Sequence, residues 1–445
     1  MDDLHLEETP ARKTPAKKSP AINSPARKSQ IGWALYDWAS SPVPTLHATF
    51  IFAVYFTTVI MPEGGSVVWA YMTGITAFTI ALIAPLLGSY ADSTGKFKEL
   101  IVLFIALGSV ATGLLWFAQP NEAFISYAII LSAISIFFLE SSFIFYNAIL
   151  GKMIQRDHIG SLSGLAWGSG YIGSVIALIV VLVVFIMPDK SLFALDKSQS
   201  EHIRATMLFA ASWAIIFSLP MMFYLPSFSQ PSFSQKNKKN KKNSAISSLK
   251  TSIIEARKIP NLLRFLLARM AYNDGLITLF AFGGIYAAKV FSFSQFEIIL
   301  FAIGLNISAG MGAIIGGFLD DNIGPIKTIK LALIGLFLCG LVAIITPYKM
   351  IFWIVGVGLG LFVGPVQSAS RTYLSLTASD KHKGGLFGLY MVSGKLTSFI
   401  GPFLYGWLVM MSGNERYGMA VVLLLIALGF VLLPSKDATR NISHP

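Results

Sequence analysis

The sequence has little charge for its length, and this scarcity limits what kind of protein it can be. Charged residues make up 13% of the 445 residues, whereas hydrophobic residues make up 54%. A soluble domain carries about 25% charged residues, so this chain has too few charged groups to cover a water-facing surface. A mean hydropathy of +0.67 agrees with this conclusion. Cysteine is also scarce: Cys339 stands alone, which excludes an intramolecular disulfide.

The sequence also lacks the patterns of an enzyme or an ATP-driven pump. It contains no Gly-rich loop ending in Gly-Lys-Ser or Gly-Lys-Thr, no nucleophile–base pair and no metal-ligand spacing. We therefore predict no catalytic activity, no metal and no cofactor. No cleavable signal peptide is visible either, and we expect the first apolar run to remain as an uncleaved anchor.

Long apolar runs dominate the rest of the chain. About twelve of them reach the roughly 20 residues that a helix needs to cross a hydrocarbon core. They predict an all-α polytopic membrane protein with twelve transmembrane helices, near Gly32–Ile60, Val67–Ala91, Glu99–Phe117, Ala123–Leu150, Leu162–Met187, Arg204–Pro226, Pro260–Val290, Gln295–Leu319, Ile326–Thr346, Met350–Tyr373, Gly384–Met411 and Tyr417–Pro434.

A short polar turn recurs once in the chain, 229 residues (317 − 88) further on. Its members are Gly88, Asp92 and Gly95, then Gly317, Asp321 and Gly324. Two similar membrane halves are typical of a transporter that rocks around a central site. We therefore predict a disordered basic Ser/Thr-Pro repeat tail (1–31), an N-terminal six-helix bundle (32–226), a cytoplasmic linker (227–259), a C-terminal six-helix bundle (260–434) and a cytoplasmic tail (435–445).

The positive charge is distributed as in a membrane protein. The formal net charge is +12, and Lys and Arg concentrate in the N-terminal tail and in alternate loops, as in the run from Lys236 to Lys242. This positive-inside pattern predicts that both termini and the central loop are cytoplasmic. The tail could bind anionic lipid or nucleic acid, or be phosphorylated. We favour a solvated tail that reinforces orientation, and a nucleic-acid partner is not expected.

Gly168, Gly170 and Gly173 match the spacing of a dinucleotide-binding loop. That motif requires a strand before it and a soluble βαβ unit around it, whereas these glycines lie within an apolar helix. Small residues in a membrane helix let neighbouring backbones approach closely, and we interpret the three glycines in that way.

Ionisable residues inside apolar spans are candidates for function because each costs about 2.5–3.5 kcal/mol at the centre of a membrane helix. The sequence places six of them in spans: Asp37, His47, Glu140, Arg269, Asp274 and Lys395. For His47 we favour a hydrogen-bonded packing role. Arg269 lies nearer the cytoplasmic side and could extend its guanidinium to the interface.

Glu140 and Lys395 are predicted to lie at the same depth in opposite halves. Each is eleven positions from the cytoplasmic end of its span, which corresponds to roughly 16 Å. An acid and a base at matching depth could bind a zwitterion, carry a proton or act as a gate. The alternative is an ion pair that locks two helices, or a lysine whose ammonium reaches nearby carbonyls.

The turn from Gly88 to Lys98 resembles the loop between the second and third helices of the major facilitator superfamily. Within that superfamily the sequence is most similar to the vacuole effluxer family, which includes autophagy-related amino-acid effluxers and their bacterial relatives. The similar stretches are Trp33–Ser41, Phe145–Ala148, Tyr272–Gly275, Gly364–Arg371, Ser393–Phe399 and Gly401–Pro402.

The resemblance implies two facing six-helix bundles with a cavity lined by the first, fourth, seventh and tenth helices. The implied candidates for a substrate or proton site are Tyr36, Asp37, Glu140, Asn147, Asp274, Gln367, Arg371 and, on a flanking helix, Lys395. It also implies a conformational latch of Gly88, Asp92, Gly95, Lys96 and Asp321, with close helix approach at Gly88 and Gly317. Pro325 stands where a basic residue is usual, so only the first loop is expected to work as a latch.

These observations predict a secondary active transporter that works by alternating access. The resemblance suggests an amino-acid-like solute, with Tyr36 and Asn147 as hydrogen-bond donors or acceptors. Proton coupling would use Glu140, with Asp37 or Asp274 as alternatives, since a buried carboxylate can load and release a proton as access switches. A bacterial inner membrane is the predicted location and a vacuolar membrane the alternative. The competing hypothesis is a non-transporting receptor or scaffold that uses the N-terminal tail.

Overall fold

The computed structural model describes residues 25–153, 159–188, 193–225, 253–254, 256–377, 386, 389–390, 393–394 and 396–435. This part of the chain forms helices and no strand. The main helices are α1 (Pro25–Ser40), α2 (Gly65–Thr94), α3 (Phe97–Leu114), α4 (Ile125–Met153), α5 (Ile159–Val181), α6 (Glu201–Tyr224), α7 (Leu262–Phe291), α8 (Gln295–Ile323), α9 (Pro325–Ile345), α10 (Lys349–Thr377), α11 (Ile400–Ser412) and α12 (Glu415–Leu432).

Eleven of the described helices are long and apolar enough to cross a membrane. The eleventh span differs from the prediction of one continuous helix over Gly384–Met411. Residues Thr397–Phe399 form a turn, and α11 begins only at Ile400 and runs for 13 residues. Lys395 and most of 378–392 lie outside the described residues, as do the tail to residue 24 and the linker over 226–252. The predicted all-helical membrane fold is confirmed.

The first span is the most irregular one. It starts at Pro25, seven residues before the predicted start, and continues beyond α1 through π-helical turns at Thr45–Phe50 and Phe56–Ile60. Pro42 and Pro44 explain the break, because proline lacks the N–H that an α-helix needs. His47 lies in the first π-helical turn, where its ring nitrogens are 3.0 Å from the Ser132 hydroxyl and 3.5 Å from the Ser135 hydroxyl. The predicted packing role of His47 is confirmed.

The α1–α5 contact is close because two glycines of α5 face it. A Cβ at Gly170 would lie 2.5 Å from Ser41 Oγ, and one at Gly173 would lie 3.0 Å from the Trp38 carbonyl oxygen. At Gly168, no atom of the described residues lies within 4 Å of that position, so the predicted packing role is not seen there. Helix packing is therefore the role of Gly170 and Gly173, as predicted.

Two helix pairs join the N-terminal half (α1–α6) to the C-terminal half (α7–α12): α2 with α11, and α5 with α8. At the α2–α11 contact the Phe403 ring lies 2.9 Å from the Cβ position of Gly74, and the Phe78 and Phe399 ring centroids are 5.0 Å apart. The first span also contacts α7. We call the side where α1 begins and α12 ends the terminal face, and the other side the opposite face.

Candidate functional site

Asp37 lies in an aromatic pocket formed by the first span and α4. Its side chain is 8% exposed and accepts a hydrogen bond from the Tyr146 hydroxyl at 3.2 Å. The Trp33 and Tyr146 rings stack at 4.3 Å with an interplanar angle of 6°. The Trp33 indole also donates to the Tyr146 carbonyl at 3.1 Å. Tyr146 is therefore fixed from two sides and orients the Asp37 carboxylate.

Tyr36 belongs to the same pocket but points its hydroxyl elsewhere. The ring is fully buried, 4.6 Å from the Tyr146 ring, and its hydroxyl is hydrogen-bonded to Ser142. In this conformation Ser142 engages the hydroxyl that could bind a solute. A Tyr36–solute hydrogen bond therefore stays a prediction, and Tyr36 serves here to pack the wall behind Asp37.

Arg371 brings a positive charge from the C-terminal half to α5 of the N-terminal half. It lies on α10, and its guanidinium carbon is 4.9 Å from the centroid of the half-exposed Trp167 ring on α5. Arg371 of the C-terminal half thus contacts α5, and α5 packs against α1, the helix that carries Asp37.

Glu140 and Asn147 share one face of α4 with Phe143. All three side chains are half-buried, and their spacing of three and four residues places them on one side of the helix. The Phe143 ring is 5.5 Å from the Tyr36 ring and 5.7 Å from the Tyr146 ring. Glu140 and Asn147 therefore lie on the face that carries the aromatic pocket. Because Lys395 is outside the described residues, the predicted Glu140–Lys395 pair stays a prediction.

The polar residues of α7 bind the chain segment that precedes α11. Arg269 is buried and donates to the Tyr390 carbonyl at 2.9 Å and to the Ser393 hydroxyl at 3.2 Å, with its guanidinium 3.6 Å from the Tyr390 ring centroid. Asn273 donates to the Gly394 carbonyl at 3.1 Å and is 3.5 Å from the Gln367 amide nitrogen of α10. The expectation that Arg269 extends to the interface is wrong, because these partners hold it inside the protein.

Asp274 faces α11. Its carboxylate is 2% exposed, and Oδ2 accepts a hydrogen bond from the backbone N–H of Gly401 at 3.1 Å. Of the predicted site carboxylates, Asp37 therefore lies between the first span and α4 of the N-terminal half, whereas Asp274 lies between two helices of the C-terminal half.

The predicted latch is only partly visible. Gly95 ends α2 in the left-handed region at φ 72°, which requires glycine, and the exposed Lys96 follows it. The side chains of Asp92 and Asp321 lie outside what the structure describes, so their role stays a prediction. Among the described residues, the nearest atom to a Cβ at Gly88 would be 3.8 Å away, and none would lie within 4 Å of a Cβ at Gly317, so close helix approach at these glycines stays a prediction.

A buried polar network closes the opposite face between the halves. Ser66 at the start of α2 donates to the carboxylate of Glu415 at the start of α12, and the Tyr405 hydroxyl donates to the same carboxylate at 2.5 Å. Lys289 lies 3.6 Å from Glu415 and donates to the Pro62 carbonyl at 3.0 Å. No sequence pattern indicates this seal, since Ser66 and Glu415 are 349 positions apart and resemble ordinary loop-end residues.

Comparison with known sequences points to one family. The profile described as "Vacuole effluxer Atg22 like" matches residues 65–444. A protein of Bacillus subtilis named as an uncharacterized MFS-type transporter, YxiO, is 24% identical over 93% of this chain and 96% of its own length. Autophagy-related protein 22-1 of Neosartorya fischeri is 24% identical, and the alignment covers 63% of this chain and 48% of the fungal protein. The chain thus spans about half the length of that fungal relative.

Solved structures with the same fold are transporters. The nucleoside transporter NupG superposes with a TM-score of 0.64 at 14% identity, over 91% of this chain and 97% of that one. A D-xylose-proton symporter gives a TM-score of 0.65 at 13% identity, over 92% and 98% of the two chains. At these identities the likeness establishes the fold alone.

Proposed function

The chain belongs to the vacuole effluxer Atg22-like family of secondary transporters, and from this premise we propose that its solute is a small zwitterion of the amino-acid class. The observation that carries the proposal is the placement of Asp37 on α1 and of Arg371 beside α5, the helix that packs against α1. A carboxylate can bind the ammonium of such a solute, and a guanidinium fork matches its carboxylate with two parallel hydrogen bonds. Neither charge alone would select a zwitterion.

The aromatic residues around this pair fit the same solute. Tyr146 and Trp33 form a fixed wall beside Asp37, and Trp167 lies beside Arg371. Ligand pockets typically combine apolar and aromatic walls with a few polar groups that set orientation. An aromatic face also attracts a cation, so the wall supports ammonium binding beside Asp37.

The pair also supports alternating access around the solute. Asp37 and Arg371 come from different halves, so a zwitterion bound to both would link the first span to α10. Such a bound solute would favour the state in which both halves contact it. A ligand shifts such an equilibrium only through this differential affinity.

We propose proton coupling as part of this function. Three buried or half-buried carboxylates are candidates: Asp37 in the pocket, Glu140 on the adjoining face of α4, and Asp274 against α11. Each lies inside a span, where an ionisable group is a functional candidate by default. Asp274 accepts a hydrogen bond from the start of α11, so a proton on its carboxylate could change the stability of that helix end.

We further propose that the terminal face is cytoplasmic and that the membrane is a bacterial inner membrane. The basic residues of the alternate loops support this orientation, since loops rich in Lys and Arg stay on the cytoplasmic side. Accessory tags at the two ends of the chain should therefore be protected from protease added outside intact cells. Digestion of both tags would reverse the orientation.

The test of the solute class is radiolabelled amino-acid uptake into proteoliposomes. We expect uptake by the wild type and a loss of at least about tenfold in Asp37→Asn and in Arg371→Lys, because each change removes a charge-assisted or bidentate contact worth about 1.5–3 kcal/mol. Glu122→Gln is the matched control, since Glu122 is an exposed carboxylate of the loop before α4. Uptake of no amino acid by the wild type would reject the solute class.

A further inference from the structure

The start of α11 has no cap from the residue that precedes it. The residue at the N-cap position is Phe399, whose side chain cannot accept a hydrogen bond from the helix. The N–H of Ile400 is bonded to the Thr397 carbonyl at 2.9 Å, and Pro402 has no N–H. Gly401 therefore carries the one remaining N–H of this first stretch, and that N–H donates to Asp274. A carboxylate of α7 thus caps the broken helix of the eleventh span.

Gly401 is the residue that allows this contact. A Cβ at its position would overlap the Thr278 hydroxyl and would lie 3.0 Å from Asp274 Oδ1. Thr278 and Asp274 therefore flank the same backbone segment of α11. The Thr278 hydroxyl donates to the Asp274 carbonyl at 2.8 Å, and its oxygen keeps the capacity to accept a further hydrogen bond.

The second carboxylate oxygen is buried and has no partner. No group in the described part of the chain donates a hydrogen bond to Asp274 Oδ1. Asp274 is also only 2% exposed, so solvent has little access to this oxygen. A buried acceptor without a partner is costly, and burying an unpaired charge costs more. A proton on Oδ1 would remove the charge and supply a donor directed towards the Thr278 region.

We infer that Asp274 is a proton-binding site that controls how firmly α11 is capped, and this inference rests on the transport function proposed above. The ionised carboxylate stabilises the N-terminus of α11 through the Gly401 N–H and the helix dipole. The protonated form keeps at most a neutral hydrogen bond, which is weaker. Lowering the pH through the titration of Asp274 therefore loosens the first turn of α11.

Charged and titratable groups on the packed elements are engaged elsewhere. Arg269 on α7 is held by Tyr390 and Ser393, and Arg371 on α10 lies over Trp167. Other titratable groups on the neighbouring elements also have partners: Tyr272 is bonded to Ser370, Tyr373 is in ring contact with Phe265, Tyr405 is bonded to Glu415, and His47 is bonded to Ser132. Backbone carbonyls also accept hydrogen bonds from Arg264, Tyr286 and Lys289 of α7 and from Arg416 of α12. Among the residues that the structure describes, Asp274 is therefore the titratable group that contacts the start of α11.

The cap can act on the contact between the two halves because α11 is part of it. Phe399 and Phe403, on either side of the capped N–H, pack against Phe78 and Gly74 of α2. Further along, Gly406 lies against Ala70, whose Cβ is 2.9 Å from the Cβ position of the glycine. A looser first turn would move these aromatic rings relative to α2. Proton binding at Asp274 would in this way reach the interface that changes when access switches.

Hydrogen–deuterium exchange of the full chain in lipid nanodiscs tests the inference without any solute. After correction for the intrinsic pH dependence, we expect protection over residues 400–406 to fall roughly 5- to 30-fold between the ionised and the protonated form. Residues 70–78 of α2 should lose protection in parallel. Asp274→Asn, which cannot ionise, should show neither change, and Glu122→Gln should behave like the wild type.

Wild-type protection at 400–406 that does not change with pH would overturn the inference, as would an equal change in Asp274→Asn. If Asp274→Asn does not fold, Asp274→Glu replaces it: a displaced carboxylate should retain the pH dependence but give lower protection at high pH. Asp274→Glu with wild-type protection at every pH would also contradict the cap. Since exchange requires no transport, failure of the amino-acid assay leaves this test unaffected.

Discussion

The orientation of the Asp37 carboxylate depends on Tyr146, which donates a hydrogen bond to it. Two contacts that do not involve Asp37 hold Tyr146 in place. Tyr146 stacks on Trp33 and accepts a hydrogen bond from its indole at the backbone, so the hydroxyl that reaches Asp37 is held in place. Preorganised donors lose little entropy when a ligand binds, which is why such supporting residues influence affinity. Arg371 has a comparable support in the Trp167 ring.

Tyr146→Phe removes the hydroxyl and keeps the ring, so it tests the contribution of the hydroxyl alone. The stacking on Trp33 should persist, while Asp37 loses its donor, so we expect solute affinity to weaken by roughly three- to tenfold and stability to fall by about 1 kcal/mol. Uptake kinetics and thermal unfolding in detergent measure the two effects. Tyr127→Phe is the control, because Tyr127 donates to the Leu114 carbonyl at an exposed helix end. Unchanged KM in Tyr146→Phe would remove Tyr146 from the solute site.

Helices differ in how far local sequence determines them. The apolar runs predict the spans because span length and hydrophobicity are local properties, and His47 has the role expected of a polar residue on an apolar stretch. The break before α11 was not predicted, since its stabilising contact joins Asp274 to Gly401, 127 positions away. The prediction that Arg269 extends to the interface is wrong for the same reason, because its partners lie on a distant segment.

The α1–α5 contact predicts a difference between neighbouring glycines. Gly173→Ala would place a methyl group 3.0 Å from the Trp38 carbonyl and should destabilise the protein by about 1–3 kcal/mol through overpacking. Gly168→Ala is the matched control, because no atom of the described residues lies within 4 Å of that position. Thermal unfolding of both variants in the same detergent provides the comparison. Equal unfolding temperatures would show that the glycine spacing has no packing role.

At the scale of the whole molecule, a few polar groups at the opposite face hold the two halves together. Glu415 accepts from Ser66 and Tyr405 and lies beside Lys289, which itself reaches the Pro62 carbonyl. The seal therefore joins the loop after the first span and the start of α2 to α7, α11 and α12. Its charged hydrogen bonds are buried, so removing one partner leaves the others unpaired.

Glu415→Ala should open the opposite face. Of the contacts that Glu415 makes, the one to Ser66 joins the two halves. Loss of this charged hydrogen bond, worth about 1.5–3 kcal/mol, is expected to change the ratio of closed to open molecules by more than about tenfold. Spin labels at Glu63 and Ser412, on loops of different halves, should show a longer distance in pulsed electron resonance. Glu122→Ala, an exposed carboxylate on the same face, is the control. An unchanged distance distribution would show that other contacts hold this face closed.

Because of this seal, the apparent affinity for solute should differ between the two sides of the membrane, even when the solute concentrations are equal. Molecules closed at the opposite face contain hydrogen bonds that molecules open there must lack, so we expect the open form to be a minority population in the absence of solute. Apparent affinity for a solute arriving from that side is reduced by the fraction of molecules ready to receive it. The carrier should therefore saturate at lower solute concentration from the terminal face, a kinetic asymmetry that originates far from the residues that bind the solute.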